Sequence, residues 1–255
     1  MKALGIVVAG ACVGVAPSGA AAQPLGPTPY LCSSDSPFNA VSFVWFYREA
    51  FESGFQVPGV SASAGAVYGP GGLTDSVDCD DGTIDGSGTN GHSFFFASGS
   101  VGIRFTFSAA VLGALPTHAG VVWTDGNNPI RFEAFDALGV SLGVIQGNHA
   151  DGTFAGTTAE DRFYGFIHAA GISAILISNG SGGIEVDHLQ YGLAGSACYA
   201  NCDQSTLAPV LNVNDFTCFL NKYASGNAYA NCDLSTNPPI LNVNDFTCFL
   251  NKYAA

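Results

Sequence analysis

From about Tyr30 to Gly192, apolar and polar residues alternate in short bursts with a period of two. Ile103-Arg-Phe105-Thr-Phe107 is the cleanest burst. Gly120-Val-Val-Trp123, Ile130-Arg-Phe132-Glu-Ala134, Gly139 to Ile145, Phe163 to His168, Ile172 to Ser178 and Ile184 to Tyr191 follow. In a pleated strand successive side chains point to opposite faces, so this alternation predicts strands with one side buried. Turn-forming clusters such as Thr124-Asp-Gly-Asn-Asn-Pro129 separate them. Many short strands without a sustained 3.6-residue period predict a mainly β fold, a jelly-roll-like β-sandwich over residues 30–192. One helix is expected within it, around Ala40 to Glu52. Gly192-Leu-Ala-Gly-Ser-Ala197 reads as the way out of the sandwich, with residues 193–197 as a linker to a tail at 198–255.

In the tail the pattern changes. The stretch from Tyr199 to Ala224 recurs from Tyr229 at a spacing of 30 residues, differing only at Gln204/Leu234, Leu207/Asn237, Ala208/Pro238 and Val210/Ile240. Identity this close marks a tandem duplication of one supersecondary unit. Each copy begins with a polar loop and ends in a helical stripe: Phe216, Phe219, Leu220 and Tyr223 fall at i, i+3, i+4 and i+7, with Asn214 or Asp215 expected to cap the start. Neither short helix can bury that stripe alone, so the two should pair.

Charge and the N-terminus narrow the setting. Lys and Arg number 7 against 20 Asp and Glu, a formal net charge of −13, which phosphate backbones repel; nucleic acid is excluded as a partner. Met1-Lys2, the apolar run Leu4 to Ala16, the breakers Pro17 and Gly19, and the small pair Ala20-x-Ala22 read as a signal peptide over residues 1–22. No other stretch approaches the roughly 18 apolar residues that span a bilayer, so no membrane insertion is expected. Export makes the remaining cysteines disulfide candidates, and Cys32 with Cys79 is the pair available to the sandwich.

The polar loops place oxygen at alternate positions, then a carboxylate at the mouth of the helix. Loops of this kind wrap a hard cation, since Ca²⁺ takes six to eight oxygens. One site is expected from Asn201, Asp203, Ser205, Asn212 and Asp215 with the carbonyl near Val210, and a second from Asn231, Asp233, Ser235, Asn242 and Asp245. Two carboxylates per site imply weak binding, about 10⁻⁴–10⁻³ M.

With N-x-D-x-S followed by L-N-V-N-D-F in both copies, the segment Cys198–Ala255 resembles a dockerin, and within dockerins the divergent GC-type of secreted bacterial proteins. The resemblance covers about a quarter of the chain. It implies two EF-hand-like calcium loop–helix repeats about a pseudo-twofold axis and noncovalent docking onto a cohesin module of a scaffold or surface protein. It places partner recognition at Val213 and Asn214 and at Val243 and Asn244. Because both copies read the same there, it implies docking in either of two orientations. Each loop departs from the family by about three extra residues, around Thr206-x-x-Pro209 and Thr236-x-x-Pro239, and lacks the turn glycine, which leaves the middle ligands open. Tyr253-Ala-Ala255 stands where the GC-type often ends in Gly-Cys, making Cys198 the candidate odd thiol. Two pairings of the rest stay open: Cys202–Cys218 with Cys232–Cys248, or Cys202–Cys248 with Cys218–Cys232.

No nucleophile elbow, zinc helix or phosphate loop occurs in the sandwich, and no catalytic residue is assigned. Glu185-x-Asp187 would put two carboxylates on one strand face, with Leu189 and Tyr191 continuing that face and His188 and Gln190 opposite; paired carboxylates are the requirement of glycosidases. Glu52 and Asp187 resemble, loosely, the first- and last-strand acids that hold a structural calcium in jelly-roll carbohydrate-binding modules. The acidic loop Asp75 to Gly88 is divided between a further calcium site and a solvated turn, and Trp45, Trp123, Tyr47 and Tyr164 are sugar-stacking candidates wherever they are exposed. The expectation is therefore a noncatalytic protein, secreted and associated with the cell surface, tethered through a calcium-dependent dockerin, with polysaccharide as the candidate ligand of the sandwich. The alternative is a glycoside hydrolase or other polysaccharide-degrading component of a cohesin–dockerin complex.

Overall fold

Alternation turns into strands as expected: in Ile103–Phe107 the three apolar residues are buried and Arg104 and Thr106 are not. A computed structural model of the chain describes residues 21–154, 156–194, 199–203, 205, 211–233, 235 and 238–254. Most of the signal-peptide segment, Cys198, Val210 and the residues from Thr206 to Pro209 lie outside that set. The chain separates into two units, one ending at Ala194 and one running from Gly195 to Ala255.

The first unit is a mainly β, two-sheet sandwich. Its strands are β1 (Gln23–Pro29), β2 (Phe43–Glu49), β3 (Val60–Ala62), β4 (Ala66–Tyr68), β5 (Ser93–Phe96), β6 (Ile103–Phe107), β7 (His118–Asp125), β8 (Ile130–Phe135), β9 (Ser141–Gly147), β10 (Arg162–Ile167), β11 (Ala174–Ser178) and β12 (Ile184–Ala194). A one-turn helix, α1, covers Ala109–Leu112. The seven-stranded sheet runs β1-β10-β7-β12-β5-β4, with β2 also paired to β12, and the five-stranded sheet runs β3-β6-β11-β8-β9. All of these pairings are antiparallel. The strands extend past the expected boundaries at both ends, since β1 begins at Gln23 and β12 runs through Leu193 and Ala194.

The core draws from both sheets. Phe105 and Phe132 from one meet Trp123, Tyr164 and Val186 from the other. Each such buried side chain contributes on the order of 1.5–3 kcal/mol. The large sheet is covered on its outer face as well: Tyr30, Phe38 and Val77 pack there on Val122 and Phe163. The disulfide Cys32–Cys79 ties the two covering segments together.

Two expectations fail here. The helix over Ala40 to Glu52 is strand β2, which follows β12 from Glu49 opposite Leu189 to Phe43 opposite Ala194. Aromatic and β-branched residues favour a pleated, half-buried surface, and the free edge of β12 supplies the ladder. The face assignment along β12 also breaks. The ladder slips between Asp187 and Gln190, and His188 sits at φ 42°. This bulge adds a residue, so Leu189 and Tyr191 join Ile184 and Val186 in the core while Glu185 and Asp187 lie on the other side.

The tail unit contains helices α2 (Val213–Ala224) and α3 (Val243–Ala254). They pair through Phe219 and Phe249, stacked with centroids 4.2 Å apart, and through Phe216 against Phe246. The expected stripe is one residue too wide, because Leu220 and Leu250 are exposed. Tyr199 and Tyr229 stack at 4.8 Å and donate their hydroxyls to each other's carbonyls. Lys222 covers the Tyr229 ring and Lys252 the Tyr199 ring, so each copy caps the other's tyrosine. Cys202–Cys218 and Cys232–Cys248 are bridged within each copy, which decides between the two pairings. No helix among the described residues is long and apolar enough to cross a membrane.

Candidate functional site

The bulge in β12 delivers a polar chain to the covered outer face. Ser36 donates to Gln190 Oε1 (2.5 Å), Gln190 Nε2 donates to the Tyr30 hydroxyl (3.0 Å), Tyr30 pairs with His188 Nδ1 (2.9 Å), and His188 Nε2 with Asp80 (2.7 Å). Since Gln190 donates to Tyr30, the consistent direction is Tyr30 O–H onto Nδ1 and Nε2–H onto Asp80. Asp80, Asp187 and His188 bring one ligand atom each within 4.8 Å of one another. Asp187, however, accepts Val77 N–H and His188 N–H, one on each oxygen. The cluster is satisfied internally and works as a clasp between β12 and the loop after β4.

That loop is buried at its start and solvent-facing over residues 82–86. Thr74 to Asp78 are buried, and Asp78 accepts Asp85 N–H and Gly86 N–H, both at 3.1 Å. Glu52 and Asp187 are engaged separately, because Glu52 holds the backbone and ring of His92.

Beside the loop, the end of β7 and the start of β12 carry paired acids: Asp125 lies opposite Glu185 in the ladder. Both line a cleft of about 370 Å³ with Tyr68, Phe95 and Phe154. Burial pushes the Glu185 carboxyl up to about 7, although Ser93 and the Asp75 N–H hold it down in part. Burial also raises Asp125 to about 6. Of the expected stacking residues, Trp123 and Tyr164 are fully buried and Trp45 and Tyr47 pack against the core. The cleft aromatics are different ones. Sequence reasoning missed Asp125 as the neighbour of Glu185 because that pairing is set by strand order, not by spacing.

In the tail, the ten expected oxygen residues fall into two matching sets. Asp215 is fully buried and accepts Asp203 N–H (3.2 Å) and Asn212 N–H (2.9 Å); Asp245 accepts Asp233 N–H (3.3 Å) and Asn242 N–H (2.8 Å). Asp203 and Asp233 each turn an oxygen back onto the N–H of Ser205 and Ser235. Asn201 and Asn231 donate to the carbonyls of the same serines, and the Oδ1 of each is buried without a hydrogen-bond partner. Those two orphaned acceptors are what a cation would use, so the residues fit one. The caps differ from expectation. Asn212 is the N-cap of α2, with Asp215 completing a capping box, and the Oδ1 atoms of Asn212 and Asn242 accept the N–H groups of Asn214 and Asn244. Asn lies three residues before Asp in each copy, the spacing that the box needs.

Val213 and Val243 are about 70% exposed, at 72% and 71%, and Asn214 and Asn244 are exposed beside them. Thr217 and Thr247 return their hydroxyls to the carbonyls of these valines. Val213, Thr217 and Leu220 therefore form a solvent-facing stripe at i, i+4 and i+7, and Val243, Thr247 and Leu250 repeat it.

No family model and no curated protein sequence matches the chain. Among solved structures, a cleaved adhesin domain of Lys-gingipain from Porphyromonas gingivalis is similar over 59% of this chain and 99% of its own, with 13% identity and a TM-score of 0.38. The enzymatically active domain of tailspike protein 4 from bacteriophage CBA120 is similar over 66% of this chain and 22% of its own, with 15% identity and a TM-score of 0.26. This chain thus spans about a fifth of that phage domain's length. Likeness at these values carries no argument about chemistry.

Proposed function

We propose that this chain is an exported β-sandwich protein whose duplicated tail is a calcium-stabilised plug for a cohesin-type module on a scaffold or cell-surface protein. The observation that carries the reading is the repeated exposed stripe, Val213-Thr217-Leu220 and Val243-Thr247-Leu250, each beginning beside a fully buried aspartate. Exposed apolar side chains lined up along a helix face and repeated on its duplicate are a surface that a partner helix groove or sheet can cover. Calcium held by Asn201, Asp203, Ser205, Asn212 and Asp215, and by the equivalent set in the second copy, would order the loops that aim these faces. Disulfides at Cys32–Cys79, Cys202–Cys218 and Cys232–Cys248 suit an oxidising, extracellular setting. The test is capture of cohesin-type modules by the full chain in calcium and in chelator. Val213→Asp or Val243→Asp alone should leave capture through the other face, and the double variant should lose it. Undiminished capture by the double variant would sink the reading.

For the sandwich the preferred role is noncatalytic binding of polysaccharide at the cleft, where Tyr68 and Phe154 are exposed. A second reading, hydrolysis, is favoured by one feature. Asp125 and Glu185 line the same cleft, and Glu185 is held partly protonated near neutral pH, as a general acid requires. Glu185→Gln separates the two: it should leave glycan binding intact, while loss of a measured hydrolytic rate would establish the enzyme.

A further inference from the structure

The sandwich buries a set of oxygens that its own atoms leave unmatched. Thr74 and Asp75 belong to the loop after β4. Thr158, Glu160 and Asp161 belong to the 3₁₀ turn that leads into β10. Each of these five residues is at most 3% exposed. Thr74 Oγ1, Asp75 Oδ1, Thr158 Oγ1, Glu160 Oε1 and both carboxylate oxygens of Asp161 are buried without a hydrogen-bond partner. Leaving a buried acceptor unmatched costs about 1–3 kcal/mol, and more when it carries charge. Several together in one part of a fold require a common explanation.

The two segments are fastened to each other. Gly88 N–H donates to Gly156 O (3.1 Å), Ser76 N–H donates to Gly88 O (3.1 Å), and Ser87 bridges to Thr157. A Cβ on Gly156 would lie 2.5 Å from the Thr74 carbonyl, so only glycine permits the approach. Burial, and after it the charge of Asp75, pushes the Asp161 carboxyl well above the ordinary carboxylate range. The nearest guanidinium does not help, because Arg162 donates to the carbonyls of Ala159 and Asp161 and not to the carboxylates. Among the described residues, the ion pairs involve other acids: Glu52, Glu133 and Asp80.

We propose that a hard divalent cation of the calcium class binds between the loop after β4 and the turn before β10, held by the carboxylates of Asp75 and Asp161 and the hydroxyls of Thr74 and Thr158, with Glu160 alongside. Carboxylate and hydroxyl oxygens suit calcium better than zinc or copper, which favour nitrogen and sulfur ligands. Carboxylates from two segments suit the larger, geometrically tolerant Ca²⁺ better than Mg²⁺, which keeps most of its waters. The cation would lock the loop that forms the clasp with His188. It is a different site from the Glu52/Asp187 pair, whose oxygens are engaged elsewhere. It also stands independently of the tail reading.

Terbium, a luminescent stand-in for calcium, reads this site once the tail acids are removed. Both tryptophans, Trp45 and Trp123, belong to the sandwich, and Trp123 lies opposite Arg162 in the ladder, next to Asp161. Tryptophan-selective excitation of the full chain should sensitise Tb³⁺ emission, and Ca²⁺ should compete it away. Asp75→Asn with Asp161→Asn should weaken that binding by more than about a hundredfold, beyond the loss expected for an outer-shell partner. In the Asp215→Asn, Asp245→Asn chain a tryptophan-excited signal that Ca²⁺ competes away should persist. No such signal in the wild-type chain, equal binding in the Asp75/Asp161 variant, or loss in the tail variant alone would each overturn the site. Should the Asp75/Asp161 variant fail to fold, amide exchange of the wild-type chain decides. Chelation should speed exchange at 74–78 and 156–161, and unchanged protection there would mean that the two acids share a proton instead.

Discussion

The sandwich and the tail both bury acids, and they do so by opposite routes. In the tail, Asp215 is satisfied by N–H groups 12 and 3 residues away, all within one copy of the repeat. In the sandwich, Asp187 takes an N–H from Val77, 110 residues away, and His188 reaches Asp80 across 108. Local satisfaction lets a short segment carry its own site and be duplicated whole. Long-range satisfaction ties the site to the topology of the sheet, so it cannot be moved or copied in part. The difference also sets stability. The sandwich has a two-sheet core, whereas among the described residues the buried apolar cluster of the tail is six residues, including Phe219, Phe249, Cys202 and Cys232.

The widest gap between the two should appear on reduction. Closing a loop with the 16-residue separation of Cys202–Cys218 or Cys232–Cys248 is worth about 3 kcal/mol by chain entropy, so the two together exceed what so small a core supplies. Cys32–Cys79, at a separation of 47, is worth about 4 kcal/mol to a much larger unit. Reduction should abolish amide protection in α2 and α3 while β7 and β12 keep theirs. Parallel loss in both units would break the comparison.

A second, smaller effect tests the pairing of the copies. Phe219→Ala and Phe249→Ala should each cost the tail about 3–5 kcal/mol, and the double variant less than their sum, because the two rings face each other. Urea unfolding followed by tail-specific exchange reads this. Unequal single costs would mean that the duplication is symmetric in sequence only.

The same contrast explains what could be read from the residues alone. Strands β6 to β12 follow from alternation, and the tail helices and their mutual burial follow from the repeat. What failed needed a neighbour. β2 became a strand because the edge of β12 was free, and the face assignment past Asp187 broke on one inserted residue at His188. The acids of the cleft and of the β4–β10 junction were out of reach for the same reason. Asp125 meets Glu185, and Asp75 is brought toward Asp161, only after the sheet order is set. The cap of α2 was a nearer miss. Asn212 and Asp215 form a capping box whose three-residue spacing is visible in the sequence, two positions before the Asn214 expected to cap the helix.

The smallest expected effect lies in pH, and it distinguishes the two units because all five histidines belong to the sandwich. Burial, followed by the charge of Arg162, lowers His149 from its ordinary 6.5 to about 4. The folded state therefore keeps it neutral down to about pH 4, while the unfolded chain takes up a proton near 6.5. Its stabilising contribution is complete above 6.5 and is lost as pH falls through 4. At a half-buried site, with solvent screening, this amounts to about 1 kcal/mol at most. The raised acids Asp125 and Glu185, at about 6 and about 7, act with the opposite sign and add stability as they take up a proton. The informative quantity is thus the difference between wild type and His149→Gln, in which those acids and the similarly lowered His118 cancel. Melting of the sandwich between pH 7 and 4 should fall more steeply for wild type than for His149→Gln, and the tail should show no difference between them. Parallel sandwich curves would mean that His149 is protonated in the folded state, and that its contact with the Tyr164 hydroxyl at 2.6 Å holds a cation rather than a neutral ring.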